Sequence, residues 1–242
     1  MKLSTNTFNH AARAAVCAVG ASALMLAGAG AASAQSQTGW VGPTPPKGGV
    51  VYLHSSTITD TPALAASTAL YPSFGQSVPS FRMGVQSRLF KSGVLCQITP
   101  WQYNPNSTAR LENKTSGNCG TGSYNSHGFV QVSDGETWSN YVTFPTNPID
   151  FTAPPAVGSR SAKGDSPTTD LSIATNDSGK TFGSAANANS PESVPDLIAS
   201  YGADGTFGYV KADDVSAVEK TAASVPLYTS DGVTVVGSLD VK

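Results

Sequence analysis

Between Gly49 and Phe144 apolar and polar residues alternate in short runs. GVVYLHSS, SFRMGVQSRLF, SGVLCQITPWQY, TARLENKT, GFVQVS and TWSNYVTF are rich in β-branched and aromatic residues. Glycine, proline, asparagine and serine separate them, which is the mark of strands joined by turns. TPALAASTALY breaks the pattern: a proline leading an alanine-rich run predicts one short helix, with Pro62 in its first turn. GFVQVS and TWSNYVTF flank the turn at Asp134-Gly135. A two-residue turn there sets Gln131 opposite Trp138. A three-residue loop, Ser133 to a left-handed Gly135, sets Val130 opposite Trp138. The second register pairs an aromatic with a β-branched side chain and is preferred. It predicts one core face of Val130, Val132, Trp138, Val142 and Phe144, with His127, Phe129 and Tyr141 on the other.

A different pattern follows residue 170. TNDSGKTFG, GADGTFGYV and TSDGVTVVG each carry a turn, a glycine, a threonine or aromatic and a second glycine, with turn glycines at Gly179, Gly205 and Gly232. Three β-hairpins are the simplest reading. Before them, Pro145 to Asp170 holds five prolines among small polar residues and reads as a linker. Aromatics number 13 in residues 35–150 and 6 afterwards. The expected organisation is therefore a leader at 1–34, a β module at 35–145, a flexible proline-rich linker at 146–170 and a small β-hairpin module at 171–242. The expected fold class is mainly β: a disulfide-closed sandwich or barrel followed by the hairpin module.

The leader comes from charge and hydropathy. Lys2 and Arg13 precede AAVCAVGASALMLAGAGAA, closed by ASA at Ala34, the pattern of a secretory signal peptide. No later run approaches the roughly 20 apolar residues of a membrane span. Export leaves Cys96 and Cys119, an even count that predicts a disulfide. With 22 residues between them and no C-x-x-C, they lack the ligand density of a zinc site. After the leader, 12 basic residues face 16 acidic ones, and 11 of the acidic ones lie beyond residue 150. This balance disfavours nucleic acid as a partner.

The candidate chemistry is sparse. His54 and His127 are the histidines beyond the leader, and no G-x-S-x-G elbow accompanies them. Asp177-Ser178-Gly179 lacks the second copy that an aspartic protease needs. Gly179-Lys180-Thr181 lacks the upstream glycine of a phosphate loop, since Ala174 stands there. Asp204, Asp213, Asp214 and Asp231 lack the alternating ligands of a calcium loop. No catalytic residue, cofactor or metal is assigned. Trp40, Trp101, Trp138, Tyr103, Tyr124 and Tyr141 could stack sugars, with Arg82, Arg88, Lys91, Arg110 and Lys114 as anion contacts. The stronger reading is that they fill a core, since a small sandwich needs large apolar side chains there. Tyr124, His127 and Tyr141 are the candidate surface contacts.

PDLIASYGADGTFGYVKADDV and VPLYTSDGVTVVGSLDV resemble a tail module of exported actinobacterial proteins. SGVLCQITPWQYN and NCGTGSYNSHGFVQVSDGETWSNYVTF resemble a second such family, in which a strand and a hairpin are set around two cysteines. Tyr124, Ser126, Gly128 and Gly135 match its pattern. Asn140-Tyr141 lies in a strand similar to lactococcin-type bacteriocins, and Gly208-Tyr209-Val210-Lys211 is similar to bacterial SH3-like domains. These resemblances imply a secreted bacterial protein and bring no catalytic residue. The function expected is a non-catalytic interaction or envelope-surface protein, with cell wall, glycan or another secreted protein as partner. The alternatives are a hydrolase built on His54 or His127, a bacteriocin-like antagonist and a wall-binding module.

Overall fold

The structure is a computed structural model and describes residues 34–154, 170–218 and 224–242. The expected leader therefore lies outside the described residues, apart from its last position. In chain order come β1 (Ser36–Thr38), β2 (Gly42–Pro43), β3 (Tyr52–Thr59), β4 (Ala65–Pro72), β5 (Met83–Lys91), β6 (Val94–Ile98), β7 (Gln102–Tyr103), β8 (Leu111–Lys114), β9 (Gly122–Ser133), β10 (Trp138–Val142) and β11 (Ile149–Phe151). After residue 170 follow β12 (Ala174–Thr175), β13 (Thr181–Gly183), β14 (Leu197–Tyr201), β15 (Phe207–Lys211), α1 (Ala212–Ser216), β16 (Ser224–Tyr228) and β17 (Val235–Asp240).

These strands make a mainly β fold of two sheets. One is ordered β1-β3-β4-β8, with β2 against β3. The other runs β10-β9-β5-β6-β14-β15-β16-β17. The sheets pack face to face. Tyr52, Leu70 and Leu111 of the first meet Met83, Val85, Val130 and Val132 of the second. Farther along, Ile58 and Ala66 meet Leu89, Tyr124 and Ile149. Between these clusters the sheets approach closely at Gly128, where a Cβ would come within 2.0 Å of the Thr68 hydroxyl. The Cys96–Cys119 disulfide is formed. Tyr124 secures its loop: its hydroxyl donates to the Gly120 carbonyl and accepts from the Cys119 N–H at 3.0 Å.

The three hairpins after residue 170 are present and share one device. β12–β13, β14–β15 and β16–β17 are antiparallel pairs, and their turns carry Gly179, Gly205 and Gly232 at positive φ. In each, a side-chain oxygen of Asn176, Asp204 or Asp231 accepts from backbone N–H groups just ahead. Such a turn requires an Asx residue and a left-handed glycine, which explains the repeat. The Asp204 and Asp231 carboxylates are held below their ordinary range by these hydrogen bonds, to Thr206 in the first case and to Thr229, Val233 and Thr234 in the second.

Four expectations need correction. TPALAASTALY is not a helix: from Ala65 onward it is strand β4, which pairs with β3 on one side and β8 on the other. Ala66, Thr68 and Leu70 point into the sandwich, so tertiary pairing outweighs alanine's helical preference. The linker does not begin at 146. Ile149 is buried, and β11 pairs with β9 from Tyr124 back to Gly122; residues 155–169 lie outside the described part. Nor do the two sides of the linker form separate cores, since residues 34–242 are one compact unit. β14 joins β6 in parallel at Ser200 and Leu95, and Phe90, Leu95 and Ile98 share a cluster with Ile198, Val210, Val225, Leu227 and Leu239. The fourth correction is the hairpin register. Trp138 pairs with Ser133 and Tyr141 with Val130. The Asp134 carboxylate accepts from the N–H groups of Glu136 and Thr137, which makes a longer, four-residue loop, Asp134 to Thr137. Trp138 thus shares a side with Gln131, Asn140 and Val142, while Val130 and Val132 face the other sheet.

Candidate functional site

The corrected register brings a set of polar and aromatic groups to the loop end of the β9–β10 hairpin. Side chains two apart on a strand share a face, so Trp138 and Asn140 stand beside Gln131, which is paired with Asn140. β7 adds Tyr103 from the other edge. Its ring lies over Gly84, where a Cβ would come within 2.7 Å of it. The Tyr103 hydroxyl donates to Gln131 Oε1 at 2.9 Å. The Trp138 and Tyr103 rings meet at 64°, with centroids 5.2 Å apart, forming an aromatic corner. Trp138 is 42% exposed. Tyr103 also lines a groove of about 420 Å³ with Pro100, Trp101, Gln102, Asn113 and Lys114. Trp101 is 6.1 Å from Tyr103 but buried, its indole N–H given to the Ser216 carbonyl at 2.9 Å. It is a support and not a contact surface.

At the hairpin tip the chemistry changes to charge. Lys47 Nζ lies 3.1 Å from the Asp134 carboxylate and donates to Thr137 Oγ1 at 2.6 Å. Arg82 lies against Gly135, where a Cβ would come within 2.3 Å of the guanidinium. Gly135 therefore serves twice, by its positive φ and by its missing side chain. Lys47, Arg82, Asp134, Tyr52, Val78 and Pro79 line a cleft of about 170 Å³. Asp134 is held well below the usual carboxylate range, first by the Thr137 and Glu136 N–H groups and then by Lys47.

The groups favoured from sequence do not converge. His127 is fully buried, so it is not the exposed strand residue expected. Its neighbour Ala185 comes from after residue 170. The His127 Nε2–H faces the Ala185 carbonyl, which only accepts, and the ring stacks on Phe90 at 4.7 Å. Burial, and then the charge of Arg88, push His127 down to about 3. Tyr124 is equally buried, with its hydroxyl committed to the disulfide loop, so neither can serve as a surface contact in this fold. Tyr141 is half-buried against the sandwich core. His54 is buried beside Phe144, and desolvation lowers it to about 4. Neither histidine is hydrogen-bonded to a serine or carboxylate among the described residues, so the arrangement of nucleophile, base and orienting acid is not assembled.

The remaining cations are scattered. Arg88 is completely buried, its guanidinium 3.7 Å from the Phe129 ring centroid and one nitrogen given to Gln86 Oε1 at 3.1 Å. Lys91 donates to the Cys119 carbonyl at 2.9 Å. Arg110 pairs with Glu112 at 2.8 Å on the surface, and Lys114 is exposed at the groove. Trp40 is 83% exposed. Gln131, Asn140 and Lys47 were missed by sequence reasoning. Their signal depends on the register and on a lysine 87 positions before the turn, so neither a motif nor a spacing marks them.

Comparison with family models, with curated proteins and with solved structures found no match to this chain. The fold and the hairpin end define what can be said of its class: a disulfide-bonded β-sandwich with a polar-aromatic surface site. No helix among the described residues is long and apolar enough to cross a membrane.

Proposed function

We propose that this is an exported, non-catalytic binding protein of the bacterial cell surface, and that it holds saccharide at the Trp138–Tyr103 corner. The observation that carries the reading is Trp138 itself. A tryptophan 42% exposed at the end of a strand, braced by a tyrosine and flanked by Gln131 and Asn140, combines an apolar ring face with uncharged hydrogen-bonding groups. That is the surface a sugar ring requires, with C–H groups for stacking and hydroxyls for the amides. The buried histidines support binding over hydrolysis. The disulfide and the leader pattern support a site of action outside the cell, as does the resemblance to exported actinobacterial proteins. The test is sedimentation with washed cell walls and with insoluble polysaccharides. The wild type is expected to be retained and Trp138→Ala released, at unchanged thermal stability. Equal retention of both proteins would remove the corner from consideration.

A further inference from the structure

Resting on that reading, we infer that the saccharide is acidic: the hairpin-tip cleft between Lys47 and Arg82 takes a carboxylate of the sugar chain whose neighbouring unit lies on Trp138. The two places are physically joined. Thr137 accepts a hydrogen bond from Lys47 and directly precedes Trp138, so the cleft and the aromatic corner meet across the Asp134–Thr137 loop.

The charges of the cleft do not cancel. Lys47 and Arg82 contribute two positive charges and Asp134 one negative charge. Asp134 is already occupied by Lys47 at 3.1 Å and by the turn N–H groups. Arg82 forms no ion pair among the described residues, and its Nη1 is buried without a hydrogen-bond partner. A single anionic group entering the cleft would balance the excess and give the guanidinium its missing acceptor. Hydrogen bonds between a guanidinium and a carboxylate are among the strongest available to a protein, and the planar fork matches a planar carboxylate. The positive field also reaches the Tyr52 hydroxyl, whose upward shift from burial is reduced by Arg82. Val78 and Pro79 give the cleft an apolar side. The cleft has room for one small group, which fits a carboxylate projecting from a sugar whose ring remains outside.

Calorimetric titration of the full protein with tetragalacturonate, and with the same oligosaccharide after reduction of its carboxyl groups, separates the two levels of the argument. The wild type is expected to bind the acidic form at least about tenfold more tightly, as a charge-assisted hydrogen bond implies, with the preference shrinking as salt is raised. Arg82→Gln is expected to bring the two affinities together. Asp134→Asn is expected to raise the preference, because it adds a unit of net positive charge to the cleft; damage to the fold would lower binding of both forms instead. Equal binding of the two forms by the wild type, or an undiminished preference in Arg82→Gln, overturns the acidic subsite and leaves the aromatic corner standing. Binding of neither form overturns both.

Discussion

Lowering the pH from 7.5 to 5 is expected to cost this protein about 4 kcal/mol of stability through two residues. His54 and His127 are buried and neutral, at about 4 and about 3 in the folded chain, whereas both return to about 6.5 on unfolding. Between these values the unfolded chain binds protons that the folded chain refuses, so stability rises with pH across the window. The stability is complete above about pH 6.5 and is lost as pH falls towards the folded values. At pH 5 each histidine lies about 1.5 pH units below its unfolded pKa, which is about 2 kcal/mol apiece. The lowered carboxylates, Asp134 and Asp231, act in a more acidic window and leave this one undisturbed. The assay is urea unfolding at pH 7.5, 6.0 and 5.0, for the wild type and for His127→Gln. The glutamine does not titrate, so it should remove about half of the pH dependence, whatever it does to stability at pH 7.5. A wild-type stability unchanged between pH 7.5 and 5, or a histidine titrating near 6.5 by NMR, would show that the rings are solvated and that the packing of Ala185 against His127 is wrong.

Three further outcomes follow from the same structure. Trp101→Ala should cost roughly 3–5 kcal/mol in denaturant unfolding, because it empties a buried site under α1, whereas Trp138→Ala should stay within about 1 kcal/mol of the wild type. Thiol labelling of the unfolded, unreduced protein should find Cys96 and Cys119 protected, and removing the bond should cost about 3 kcal/mol in the chain-entropy account. Cleavage between residues 155 and 169 should give two fragments that remain together on gel filtration and separate in denaturant, since their strands fill one core; fragments that separate under native conditions would contradict the β6–β14 joint.

Local chemistry was readable where it acted locally. The three Asx-glycine turns after residue 170 were visible as a repeat because each is complete within a few residues. The disulfide needed only two cysteines and an oxidising compartment. Features set by distant chain were hidden. His127 looks like a solvent-facing strand residue until Ala185, nearly 60 positions on, is laid over it. The alanines of TPALAASTALY favour a helix in isolation and become strand residues because two neighbours pair with them. The hairpin register failed for a smaller reason: the Asp134 side chain extends the loop by taking two N–H groups, and each added residue reverses which face Trp138 occupies. Ile149 and Phe151 were hidden among prolines, although their alternation around Asp150 is that of a strand.

The joint between β6 and β14 also sets the order in which the molecule can be completed. The Leu95 carbonyl and the Ser200 hydroxyl that meet there are 105 positions apart, so the partner of β6 emerges only after most of the chain has been made. Until then β6, with Val94, Leu95 and Ile98 apolar, presents a bare strand edge and an uncovered face, the surface on which chains recruit one another. Pairings of such long range also form slowly. A chain threaded through a membrane from its amino end would hold that edge open throughout transit, which gives a helper that shields extended strands a definite place to act: Val94 to Ile98.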